Sequence, residues 1–227
     1  MKTIGIMGGM GPMATVDLMK KIILATPAKT DQEHIPMLVD NAPQIPDRTK
    51  AILGQGESPV PAMVRSARRL EAGGADFIII ACNTAHYFLP EVAPQVKIPI
   101  LSIVETAIAE VIRRGYKKVG LLATSGTIRT GLYQKSLEAK EIMCITPSAD
   151  RQHWIDDMIY DGVKANNLHY DTVPVEALLD DMQQAGAEAF ILGCTEVPVA
   201  VAMYNLQGTF IDSTDELAKA AIKYALA

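Results

Sequence analysis

Gly73-Gly74-Ala75-Asp76-Phe77-Ile78-Ile79-Ile80-Ala81-Cys82-Asn83-Thr84 reads as a helix end, a strand and a loop in succession. The glycine pair stops a helix, and the apolar run that follows is too short for a helix and rich in β-branched residues. Cys82 stands where that strand leaves the core. The same order of residue types returns in Gly186-Ala187-Glu188-Ala189-Phe190-Ile191-Leu192-Gly193-Cys194-Thr195-Glu196. Gly74 aligns with Gly186 and Cys82 with Cys194 without a gap, each pair 112 residues apart (186 − 74 and 194 − 82).

Working outward, the opening segment Lys2-Thr3-Ile4-Gly5-Ile6-Met7-Gly8-Gly9-Met10-Gly11 is echoed by Lys117-Lys118-Val119-Gly120-Leu121-Leu122-Ala123-Thr124-Ser125-Gly126. That offset is 115 residues and also sets Thr15 opposite Thr130. Ser102 and Glu105 are echoed by Ser213 and Glu216 at 111 residues. Three echoes in one order and at nearly one offset imply two similar halves. Within the first half, strands are expected over 3–7, 36–40, 77–80 and 98–101, and helices over 61–72 and 105–114, the last closed by Gly115. This alternation predicts an α/β fold of two pseudo-symmetric domains, each a mostly parallel sheet flanked by helices. The first domain is expected over 1–103 plus 209–227 and the second over 104–208. Ligand contacts belong at the carboxyl ends of such strands. A pseudo-twofold axis would set Cys82 and Cys194 on opposite walls of a cleft between the domains, the expected active site.

Composition narrows the function. The chain has 227 residues, 49% of them apolar, and a net charge of −5, which argues against the basic footprint of a nucleic-acid binder. The three cysteines are an odd number without disulfide spacing and suit a reducing compartment. No export signal and no membrane-length apolar run is present, so a cytoplasmic location is expected.

The chemistry centres on the thiols. Cys144, in Met143-Cys144-Ile145, reads as a small buried hydrophobe. Cys82 and Cys194 differ, because small polar residues, Asn83-Thr84 and Thr195-Glu196, follow directly. Such residues suit a helix start, and a helix N-terminus beside sulfur would lower the thiol pKa from about 8.5. A thiol so poised exchanges protons near neutral pH. Two facing thiols could remove a proton from one side of a carbon and return one to the other, inverting the centre. No lysine sits in a pyridoxal phosphate setting and no His/Cys spacing suggests a metal, so no cofactor is expected. Gly8-Gly9-Met10-Gly11-Pro12 also misses the dinucleotide spacing. His86 is read as structural, and Arg48, taken alone, as a solvated loop cation.

Four motifs together carry a resemblance: Gly8-Gly9-Met10-Gly11-Pro12 with Ala14-Thr15, Ile45-Pro46-Asp47-Arg48-Thr49, Ala81-Cys82-Asn83-Thr84-Ala85, and Gly193-Cys194-Thr195-Glu196. They resemble the aspartate racemase branch of the aspartate/glutamate racemase superfamily, across essentially the whole chain. The resemblance implies a cofactor-independent amino-acid racemase, commonly a homodimer, with a small amino-acid substrate and neither nucleic acid nor membrane as partner. It makes Cys82 and Cys194 the catalytic pair. Asn83, Thr84, Thr195, Thr124, Ser125 and Thr127 would bind the amino and carboxylate groups, and Met10 would contribute main-chain contacts. Arg48 and Lys164 match the cations for substrate carboxylates, so Arg48 becomes a ligand rather than a surface charge. Glutamate racemases usually carry His where this chain has Glu196. That residue reads equally as a helix-start acid or an orienter of the substrate ammonium, and it would raise the Cys194 pKa by repulsion.

Two other readings stand beside this one. The first keeps the scaffold and takes glutamate, hydantoin or another α-substituted acid as substrate. The second is a ligand-binding or redox module in which Cys82 and Cys194 form a reversible disulfide.

Overall fold

A computed structural model describes residues 1–227. In chain order the elements are β1 (Ile4–Gly8), α1 (Pro12–Ala25), β2 (Met37–Asn41), α2 (Arg48–Ile52), α3 (Val60–Ala72), β3 (Phe77–Ile80), α4 (Leu89–Val92), β4 (Ile100–Leu101) and α5 (Ile103–Arg114). Then come β5 (Lys118–Leu122), α6 (Ser125–Thr130), α7 (Leu132–Glu138), β6 (Met143–Ile145), α8 (Gln152–Asp157), a π-helical stretch Met158–Lys164, α9 (Val173–Gln184), β7 (Ala189–Leu192), α10 (Val197–Tyr204), β8 (Phe210–Asp212) and α11 (Ser213–Leu226). Contacts divide the chain into two units, Met1–Ile103 with Thr214–Ala227, and Val104–Ser213. The expected boundary at 208/209 falls too early. Strand β8 pairs with β7 through Phe190↔Phe210, Ile191↔Ile211 and Leu192↔Asp212, so it belongs to the second unit and the chain crosses back only at α11.

Each unit holds one four-stranded sheet, ordered β2-β1-β3-β4 in the first and β6-β5-β7-β8 in the second. Every pairing is parallel. Matched strand for strand the two orders are identical, so the sequence repeat is a repeat of topology and the α/β class is as expected. The inner strands β1 and β3 are buried along their whole length, as parallel strands covered by helices on both faces must be. Helix α3 turns Met63, Ser66, Ala67 and Leu70 inward at spacings of three and four, which gives it one buried stripe. Helix α11 closes the first unit: Tyr224 meets Phe77 edge-on at 4.8 Å, and the Lys2 N–H donates to the Ala225 carbonyl at 2.9 Å.

The repeated glycines have a repeated job. Gly74 (φ +95°) and Gly186 (φ +99°) follow the ends of α3 and α9 in the left-handed region. The next N–H reaches back to the helix, Ala75 to the Leu70 carbonyl and Ala187 to the Met182 carbonyl, both at 3.0 Å. The glycine N–H groups bond Glu71 and Gln183 at 3.0 and 2.8 Å. This is the Schellman closure, and it aims the chain into β3 and β7 at the same register in both units.

The turn after β1 is held more tightly. Thr15 Oγ1 accepts from the Gly9 N–H at 2.9 Å and donates to the Gly11 carbonyl at 3.0 Å. Gly9 has φ +88°, and a Cβ there would lie 2.3 Å from the main-chain carbon of Ala42. Main chain cannot rotate aside as a side chain can. Gly9→Ala is therefore expected to cost about 2–4 kcal/mol, combining left-handed strain and overpacking. Urea unfolding should show the loss as a lower midpoint at unchanged slope, and a loss under about 1 kcal/mol would mean that the Ala42 loop yields freely.

Candidate active site

In the first unit the candidate residues gather at the carboxyl edge of three adjacent strands. Met10 lies in the turn after β1, Arg48 opens α2 beyond β2, and Cys82-Asn83-Thr84 follow β3. Met10, Ile45 and Cys82 belong to one buried apolar cluster. Arg48 is only 8% exposed, and its guanidinium donates to the carbonyls of Pro46 (3.0 Å), Ile45 (3.2 Å) and Met10 (3.4 Å). Asp47 caps α2 by accepting from the Lys50 N–H at 2.8 Å. Arg48 is thus a buried cation folded onto main chain at a strand edge. A solvated loop arginine has none of these features.

Asn83 and Thr84 are buried, but the expected helix cap is absent. The chain after Cys82 makes a 3₁₀ turn, Thr84–Phe88, which Asn83 opens without a side-chain cap. The His86 ring is buried in this turn, with Nδ1 2.9 Å from the Cys82 carbonyl and Nε2 3.2 Å from the Ile103 main-chain nitrogen.

The second unit builds its counterpart from the exits of β5 and β7 and from the π-helical stretch. Thr124 caps α6, its Oγ1 accepting from the Thr127 N–H at 3.3 Å and lying 3.2 Å from Thr127 Oγ1. The Ser125 N–H donates to Asp156 Oδ1 at 3.0 Å, and Gln152 Nε2 donates to the Ala123 carbonyl at 2.8 Å. Helix α8 therefore holds this loop by two bonds. Burial pushes the Asp156 carboxyl upward from the usual range, against the bond from Ser125. Neither Asp156 nor Gln152 had a motif to mark it. Their partners lie about 30 residues away along the chain, and only the fold joins them.

Cys194 lies two residues beyond β7 with its Sγ donating to Glu196 Oε2 at 3.1 Å, both side chains buried. The Thr195 hydroxyl donates to the same oxygen at 3.4 Å. Lys164, from the π-helical stretch, lies 3.9 Å from Glu196 Oε1 and 4.7 Å from the centre of the Tyr160 ring. The expected lowering of this thiol's pKa is reversed. Burial pushes Cys194 well above the usual thiol range, the Glu196 charge adds to the rise, and Lys164 only partly offsets it. Helix α10 begins after Glu196, which makes no side-chain cap.

All three cysteines are free thiols, and no group of three or more His, Cys, Asp or Glu is placed to hold a metal ion. No helix is long and apolar enough to cross a membrane.

Known proteins share this fold. The aspartate racemase of Picrophilus torridus is 35% identical and superposes with a TM-score of 0.88, covering 99% of this chain and 94% of that one. An aspartate racemase homologue from Pyrococcus horikoshii is 27% identical, with a TM-score of 0.78 over 100% of both chains. The broad specificity amino-acid racemase RacX of Bacillus subtilis is 29% identical across 99% of this chain and 98% of its own length. Residues 7–221 match the Asp/Glu/Hydantoin racemase family as a whole, and with two parallel sheets of one order, each with a cysteine two residues beyond a central strand, this chain belongs to that family and is an isomerase.

Proposed function

We propose that this enzyme interconverts L- and D-aspartate without a cofactor, with Cys82 and Cys194 exchanging the Cα proton. The observation that carries the reading is the equivalence of the two thiols, buried residues that leave β3 and β7 at matching positions in sheets of identical order. With Cys194 Sγ donating to the Glu196 carboxylate, Cys194 enters the cycle as the acid. Cys82 then acts as the base. Its thiolate takes the Cα hydrogen as a proton, forming S–H while the C–H electron pair spreads into the substrate carboxylate. The Cys194 S–H proton passes to the opposite face, the pair returns to Cα as a new C–H bond, and Cys194 is left as thiolate. Reversal needs only the opposite protonation states.

Fixed donors lower the cost of the developing carboxylate charge. The hydroxyls of Thr124, Ser125 and Thr127 and the side chains of Asn83, Thr84 and Thr195 take the amino and carboxylate groups, with Met10 contributing main chain. Aspartate is favoured by the likeness to the Picrophilus aspartate racemase and by Arg48, a buried cation at the strand edge. Lys164, 29% exposed in its side chain, is the second cation for substrate carboxylates. Glutamate differs by one methylene, which a pocket discriminates by only about 1–3 kcal/mol. The homodimer and cytoplasmic location implied by the family resemblance belong to the same proposal.

In heavy water the enzyme should place deuterium at Cα of aspartate, at first mainly in the inverted enantiomer. Cys82→Ser and Cys194→Ser should each remove racemisation; no exchange with any acidic amino acid would sink the proposal. Arg48→Ala should raise KM for aspartate about 10–100-fold, the worth of a lost hydrogen bond to charge, and unchanged aspartate kinetics would refute its role. For Glu196→Gln the sign is fixed by the causes of the Cys194 shift. Removing the carboxylate removes repulsion and a bond to the thiol, so the Cys194 pKa falls while burial still holds it up. Iodoacetamide should then alkylate Cys194 faster at any given pH, and a slower or equal rate contradicts the acid assignment.

A further inference from the structure

The proposed reaction leaves His86 without a task, yet its surroundings are specified at both nitrogens. A main-chain N–H can only donate, so the Ile103 N–H, 3.2 Å away, requires a lone pair on Nε2. The ring proton then sits on Nδ1 and is donated to the Cys82 carbonyl at 2.9 Å. Burial keeps the ring neutral, holding its pKa at about 4 although the carbonyls around it favour the charged form. The ring thus bridges the residue that leaves β3 and the first residue of α5.

The second unit solves the same task differently. Pro198 stands at the position equivalent to His86 and has no ring nitrogen to offer. There Ser213, the first residue of α11, donates its hydroxyl to the Leu192 carbonyl at 2.6 Å, and Tyr133 bonds Ser213 in turn. Both strand exits are therefore tied to the start of the following helix. In the first unit alone the tie ends on the cysteine itself.

We propose that His86 is a positioning residue, which fixes the main chain bearing the Cys82 thiol by bridging the Cys82 carbonyl and the Ile103 N–H. The proposal rests on the reading of Cys82 as an acid/base. Its reach follows from general catalysis, in which a misplacement of about 1 Å costs about a hundredfold in rate. Losing the ring would also strand two buried main-chain groups without this partner.

The test uses the full-length protein with His86→Leu, which makes neither bond, and His86→Gln, whose amide supplies one donor and one acceptor. His86→Leu should lower kcat for aspartate about tenfold or more, with KM within about threefold, because substrate binding is not the step disturbed. Iodoacetamide labelling followed by peptide mass spectrometry should show the Cys82 rate altered and the Cys194 rate unchanged. His86→Gln should bring kcat back to within about threefold of the wild type. In the wild type, nitrogen-15 NMR should show the His86 proton on Nδ1. A folded His86→Leu with wild-type kcat overturns the proposal. So does a His86→Gln as impaired as the Leu variant, a proton on Nε2, or equal changes at both cysteines. Should the Leu variant not fold, the Gln variant and the tautomer decide by the same criteria. Cys82→Ser separates the two readings. If it retains racemisation, the acid/base role of Cys82 fails; if it is inactive while His86→Leu is fully active, only the positioning role fails.

Discussion

Glu196 brings a carboxylate into the second unit at 3% exposure, beside a thiol that would itself be charged in the other half of a proton-transfer cycle. An unpartnered carboxylate there would cost several kcal/mol in lost hydration. Three donors offset that cost: the Cys194 thiol at 3.1 Å, the Thr195 hydroxyl at 3.4 Å and Lys164 at 3.9 Å. The last of these is carried by the π-helical stretch Met158–Lys164, in which Gly162 packs closely on two tyrosines, a Cβ there lying 2.9 Å from the Tyr204 hydroxyl and 3.3 Å from the Tyr170 ring. The shift of the thiol comes first from burial and then from this buried charge, which the cation also faces.

Nothing of this kind stands at the equivalent place in the first unit, where the residue is Thr84. There the specified contact is to main chain, through the His86 ring. The two units share strand order, glycine closures and cysteine placement to the residue, and they differ in what surrounds the sulfur. One sulfur has a charge beside it; the other has its backbone pinned. A repeated fold therefore delivers two thiols in different surroundings, a buried charge beside one sulfur and a hydrogen-bonded ring on the main chain of the other.

The fold was legible because its signals are local. Gly74 and Gly186 mark helix ends, the apolar runs after them are of strand length, and the common spacing reports the repeat. The boundary was missed because β8 has only three residues and no pattern of its own, and only its pairing with β7 assigns it. Around Cys194 the repulsion from Glu196 was legible in the sequence, and the effect of burial was not. Reading small polar residues as caps predicts a lowered thiol pKa, and at Cys194 desolvation outweighs that effect. Arg48 was visible in sequence only as a cation in a proline-bounded loop. Three carbonyls brought together by the turns after β1 and β2 make it a buried one. Asp156 went unread and His86 was read only as structural for a related reason, since groups that give them meaning arrive from other elements.

The inequality of the two thiol environments meets a thermodynamic limit. The two enantiomers of an amino acid have equal free energies in an achiral solvent, so a racemase has an equilibrium constant of one and its kcat/KM must be the same in both directions. Glu196 cannot bias the final mixture, however strongly it favours the protonated form of Cys194. What it can change is which free form of the enzyme prevails between turnovers, and hence which enantiomer meets a ready enzyme. A form that accumulates binds its own substrate and leaves the other to wait for proton redistribution, so kcat and KM rise or fall together for a given enantiomer. Asymmetry at Cys194 and Cys82 is therefore confined to how each kcat/KM is divided into its two parts. In the proposed two-thiol cycle a buried carboxylate beside one thiol is compatible with racemisation for this reason: it would set the resting state without touching the balance of the reaction.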